Sequence, residues 1–159
     1  MSPQRRRGRG GDAERLNRLS AAIIGAAITV HRTLGPGLLE STYEVCLQYE
    51  LKTVFGFEVE RQSLVPIRYR DLVVEDAFRF DLEVSDTRGT VVLVEVKAAE
   101  KVIPIHEAQL LTYLKMLDLP LGLIINFNVE KLVDGVTRMV HEFPEDALRV
   151  SSAPSAPLR

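Results

Sequence analysis

The chain is short of three things. It has one cysteine, Cys46, among 159 residues. That excludes an intramolecular disulfide and a cysteine-based zinc site, and makes a reducing cytoplasm the simplest home. It has no long apolar run. The longest, residues 21–30 with Gly25 and Thr29 inside it, is about half of the roughly 20 residues a membrane span needs. It follows Asp12 and Glu14 with no small-residue cleavage site, so neither a membrane partner nor a signal peptide is expected. Nor is there a bulk excess of positive charge: the formal net charge is −2. Setting aside residues 1–11, which hold four arginines and no acid, leaves 16 basic against 22 acidic groups, a net of −6. The body is therefore not a simple basic nucleic-acid binder. If it meets phosphates, a metal ion or a local basic patch must offset its own carboxylates.

What is present describes an ordinary globular domain: 46% hydrophobic and 26% charged residues, in a length that suits one compact core. Residues 1–11 are Gly/Arg-rich and residues 151–159 are Ser/Pro/Ala-rich, so both are expected to be disordered tails flanking a single domain over 12–150. No internal repeat is visible. Apolar residues at helical spacing, Leu16, Leu19, Ile23, Ala26, Ala27, Val30 and Leu34, predict a helix over 14–34, stopped by Gly35-Pro36-Gly37. A second helix is expected over 38–54, with Leu39, Tyr43, Cys46 and Leu47 on its apolar side. Period-two patterns then predict strands over 57–62 and 64–69, with Pro66 marking an edge or a bulge. A longer strand over 73–84, turn residues 85–89 and a strand over 91–97 read as a hairpin. Residues 105–117 form a third helix, and 121–127 and 136–141 the closing strands. The order predicts a mixed α/β domain. The alanine-rich stripe around Ile23 and Ala26, or an apolar sheet face, could serve a homodimer.

Two charges interrupt an otherwise apolar strand in the segment LVEVKA. Glu95 and Lys97 share one face about 6.6 Å apart, and charges enter a core only when paired or put to use. Matching apolar faces across the hairpin puts Asp81 on that same face, opposite Glu95 or Lys97 or a neighbour two positions away. The match demands a three- or five-residue loop, or a bulge. Asp81 and Glu95 could then hold Mg²⁺, a hard cation that prefers oxygen ligands, with Lys97 orienting a metal-activated water and stabilising developing negative charge. The competing reading is a cross-strand ion network without a ligand. Glu40 flanks the buried stripe of the second helix, where it could reach the rim of the sheet, or simply favour the helix's first turn. In HEAQLLTYL, Gln109, Tyr113 and His106 share a helical face, which alone reads as exposed surface.

Together these residues resemble the PD-(D/E)XK nuclease superfamily, in the branch named for its GxxExxY motif. That motif appears as Gly37-Leu38-Leu39-Glu40-Ser41-Thr42-Tyr43, the Asp…Glu-x-Lys signature as Asp81…Glu95-Val96-Lys97, and the QxxxY motif as Gln109-Leu110-Leu111-Thr112-Tyr113. The similarity spans roughly residues 15–142. Phe80 stands where the superfamily's name expects proline. The resemblance implies a restriction-endonuclease-like fold, a central mixed β-sheet flanked by helices in core order αβββαβ. It also implies a Mg²⁺- or Mn²⁺-dependent nuclease acting on nucleic acid, DNA rather than RNA by family habit. Glu40, Asp81 and Glu95 would be metal ligands, helped by the Val96 carbonyl. Lys97 would be the catalytic lysine, and Gln109 and Tyr113 would position substrate or lysine. His31 matches a histidine seen just before the motif, although a helix-end histidine is more often a hydrogen-bonding cap. The alternatives are a regulatory or nucleic-acid-binding module without turnover, and a structural, oligomerising protein.

Overall fold

The computed structural model describes residues 9–143. The reading of 151–159 as a tail, and most of that for 1–11, lies outside the described residues. Helix α1 spans Arg9–Leu34, and so begins inside the stretch set aside as the first tail; α2 spans Glu40–Thr53. Strands β1 (Glu58–Tyr69), β2 (Leu72–Ser85) and β3 (Val91–Lys97) follow, then α3 (Pro104–Leu117), β4 (Leu121–Asn126), a 3-10 turn over Leu132–Gly135, and β5 (Val136–Val140). The run from α2 to β4 has the expected αβββαβ order.

The five strands form one mixed sheet in the order β1-β2-β3-β4-β5. All neighbours are antiparallel except β3 and β4, which run parallel because α3 carries the chain back across one face. Helices α1 and α2 cover the other face. The larger core joins Leu16, Ile23, Ala27, Tyr43 and Leu47 to Leu82, Val94, Leu123 and Ile125. A smaller one joins Leu110 and Leu114 of α3 to Phe80, Leu93 and Ile124. Sheets covered on both faces read as continuous apolar runs, and all six residues of β4, LGLIIN, are buried. Among the described residues, no helix is long and apolar enough to cross a membrane.

Four expectations need correction. The alanine-rich stripe is enclosed by the chain's own core, with Ile23 at 0% and Ala26 at 1% exposure, so it is not a free dimer face. Helix α2 starts two residues late, because Leu39 is extended and 74% exposed; Tyr43 and Leu47 are buried as expected, joined by Glu44 and Leu51, and Cys46 is half-buried. The two short strands around Ser63 are one strand, β1, bent at Gln62 by a left-handed backbone (φ 55°). Finally, Phe78, Phe80, Leu82 and Val84 do not share one face. Phe78 and Phe80 pack under α3, whereas Leu82 and Val84 pack under α1 and α2. Residues two apart in a regular strand face the same way, so β2 switches face at Asp81, directly beside the bend in β1. Pro66 does mark both an edge strand and a register shift, which falls between Val65 and Ile67.

Candidate active site

Tyr43 anchors the turn that leads into α2. Its buried hydroxyl donates to the Gly35 carbonyl at 2.6 Å and accepts from the Leu38 N–H at 3.1 Å. Its ring stacks on Phe127 at 4.4 Å. A buried tyrosine needs partners for its hydroxyl, and here they are the backbone of a turn that Gly35 and Gly37 close with φ of 71° and 99°. Glu40 is thereby fixed as the first residue of α2. Its Oε2 accepts from the Ala98 N–H at 3.3 Å, which brings it to the end of β3 beside Lys97.

The hairpin has the register that the apolar pattern demands. Leu82 pairs with Val94 and Ser85 with Val91, across a five-residue loop. The regular ladder stops at Leu82, next to the face switch at Asp81, and side chains take over its hydrogen bonds. The Val96 N–H donates to Asp81 Oδ2 at 2.8 Å, and the Asp81 N–H donates to Glu95 Oε1 at 3.3 Å. The structure thus brings Asp81 and Glu95 together at the point where β2 and β3 part. Burial, then the neighbouring Asp81 charge, push Glu95 up to about 8, with Lys97 pulling the other way. Among the described residues, Lys97 makes no ion pair within 4.0 Å. The competing ion-network reading required such a pair.

Tyr113 on α3 faces this pair. Its ring stacks on Phe78 at 4.4 Å, and burial, Glu95 and Asp81 all raise its phenol above the ordinary value, so it remains a neutral donor. Gln109 is exposed one turn earlier on the helix. His106 does not join the trio at the site: its Nδ1 accepts from the Ile103 N–H at 3.3 Å and caps α3. His31 is buried at the end of α1, where Nε2 donates to the Val129 carbonyl at 2.7 Å; this ties the helix end to the loop after β4 and does not cap α1's own carbonyls.

The carboxylates of Glu40, Asp81 and Glu95 do not all lie within 4.8 Å of one another. Among the described residues, the one acidic or histidine trio that meets this separation is Asp118, His141 and Glu142. That trio sits at the far end of β4, after α3 and β5. Asp81 and Glu95 suit a hard divalent ion nonetheless: the donors are oxygens only, and a buried pair in which desolvation and then repulsion favour a proton on Glu95 is one that a cation relieves. Glu40 has to turn from Ala98 to join them.

Three residues near the site went unnoticed in the sequence. Glu44 is buried one turn after Glu40, and Gln62 donates to both Glu44 Oε1 (2.6 Å) and Asp81 Oδ1 (3.3 Å). Asn126, also buried, exchanges hydrogen bonds with the backbone of Ala99 and so fixes the chain just past Lys97. The only signal for Asn126 was a polar residue closing an apolar strand. Glu44 falls in the same helical row as Leu47 and Leu51, which was its one signal, and nothing marked Gln62.

A mixed sheet between helices, with paired carboxylates where two of its strands diverge, defines a nuclease-like α/β domain. The family model for the PD-(D/E)XK nuclease superfamily matches residues 17–139. The chain belongs to that superfamily, and its fold is restriction-endonuclease-like. No curated protein matches it. Among solved structures it is similar to the crystal structure of SSO0001, with 19% identity and a TM-score of 0.47, over 72% of this chain and 60% of that one. The chain therefore spans less than two thirds of that protein.

Proposed function

We propose that the chain is a Mg²⁺- or Mn²⁺-dependent nuclease of the GxxExxY branch, hydrolysing phosphodiester bonds of nucleic acid, with DNA favoured over RNA. The observation that carries this reading is the Asp81–Glu95 pair: two carboxylates held together by backbone hydrogen bonds, one of them raised to about 8 despite the opposing pull of Lys97. Asp81 and Glu95 hold the ion, joined by Glu40 and the Val96 carbonyl. When bound, the ion lowers the pKa of a water and offsets charge on the phosphoryl group. Lys97 orients the attacking water and stabilises the negative charge that develops as the bond breaks. Tyr113, kept protonated by its surroundings, donates a hydrogen bond to substrate or to that water, and Gln109 guides substrate from the exposed face of α3. The ion also answers the body's net charge of −6, because it cancels carboxylate charge where phosphate must approach. A reducing cytoplasm suits the single cysteine.

The test is cleavage of single- and double-stranded DNA and RNA with Mg²⁺ or Mn²⁺, run beside Asp81→Ala and Lys97→Ala. Wild-type cleavage should fall at least 100-fold in each variant, the range for losing a general acid–base or electrostatic group. Equal cleavage by all three proteins would mean a contaminating nuclease and would remove the proposal.

A further inference from the structure

Glu44 and Gln62 belong to none of the motifs, yet they are built into the site. Glu44 is 4% exposed. Its Oε1 accepts from Gln62 Nε2 at 2.6 Å and lies 3.6 Å from Arg61 Nε. Neighbours along a strand face opposite sides of the sheet, but Arg61 and Gln62 both reach this one oxygen. They do so because Gln62 takes the left-handed backbone (φ 55°) that residues other than glycine seldom adopt. The bend is no frayed end, since pairing with β2 resumes on both sides, Arg61 with Leu82 and Ser63 with Phe80.

The same amide nitrogen also donates to Asp81 Oδ1 at 3.3 Å, while the Val96 N–H holds Oδ2 at 2.8 Å. Each oxygen of the Asp81 carboxylate therefore carries one donor, which fixes its rotation and leaves lone pairs free on both. A neutral amide orients the carboxylate without cancelling its charge. A lysine or arginine there would compete with an incoming cation. Burying Glu44 would explain one of the amide's two hydrogen bonds but not the second, to Asp81.

We propose that Gln62 is a positioning residue for Asp81, with Glu44 as the buried acceptor that anchors the Gln62 amide. The inference rests on the reading of Asp81 as a metal ligand. Residues that orient a metal ligand typically change affinity 10–100-fold when removed.

The experiment measures Mn²⁺ affinity of the full chain by electron paramagnetic resonance, beside thermal unfolding, for wild type, Asp81→Ala, Gln62→Gly, Gln62→Ala and Glu44→Gln. Gln62→Gly removes the amide while fitting the left-handed backbone without strain, so it guards against a variant that fails to fold. Expected are loss of the site in Asp81→Ala, about 10-fold weaker binding in both Gln62 variants, and near wild-type affinity in Glu44→Gln, which keeps an acceptor for the amide. Wild-type affinity in folded Gln62→Gly, with binding still lost in Asp81→Ala, overturns the positioning role and leaves the metal reading standing. Mn²⁺ binding that ignores Asp81→Ala overturns the metal reading itself, and the positioning role with it.

Discussion

Burial and the Asp81 charge raise Glu95 to about 8 from an ordinary 4.5. Between those values the folded protein keeps a proton that the unfolded chain releases. Its contribution to stability is therefore fully present below about pH 4.5 and is lost as the pH rises through about 8. The slope is at most about 1.4 kcal/mol per pH unit, and less where water reaches the carboxylate. Urea unfolding in chelator should show stability falling from pH 5 to pH 9, with the fall reduced in Glu95→Gln and reversed by Mg²⁺ or Mn²⁺; a wild-type profile unchanged in Glu95→Gln would assign the slope to other groups. At this scale the sequence was informative where a charge broke an apolar pattern. Glu95 and Lys97 stood out for that reason, and Asp81 followed from matching apolar faces across the hairpin. Gln62 did not, because its role comes from a backbone angle that glutamine does not advertise.

Among the elements, the turn into α2 and the β2–β3 hairpin set the site's geometry. Tyr43→Phe keeps the ring stacked on Phe127 but strands the Leu38 N–H and the Gly35 carbonyl. It should cost about 1–2 kcal/mol, read as a lower denaturant midpoint at unchanged slope, and should free Glu40 from Ala98. An unchanged midpoint would mean that the turn is held by other contacts. The hairpin register was legible because a one-residue slip would have turned every apolar side chain outward. The face switch at Asp81 was not, since matching apolar faces assumes strict alternation throughout. That assumption failed at the one position where the ladder yields to carboxylates. Leu39 misled for a related reason: it falls on the helical spacing of Tyr43 and Leu47, but the Tyr43 hydroxyl holds the preceding turn out of the helix.

Across the whole molecule, the order of helices and strands along the chain follows from apolar periodicity, most clearly in α1 and β4, whereas a sheet covered on both faces was what the family resemblance implied. Which side chains from distant segments meet is a tertiary property, and there the sequence reached Asp81 and Glu95 but not the buried Glu44–Gln62 link. It also called for three converging carboxylates, whereas the structure joins two and leaves Glu40 on the Ala98 N–H. A metal ion would have to draw Glu40 across, and that is the most direct consequence of reading this chain as a metal-dependent nuclease. Crystals grown with Mn²⁺ and measured for anomalous scattering decide it. A peak about 2.0–2.6 Å from oxygens of both Asp81 and Glu95, with Glu40 turned toward it, is the expected result. A peak confined to Asp118, His141 and Glu142, with none at Asp81 and Glu95, would contradict it.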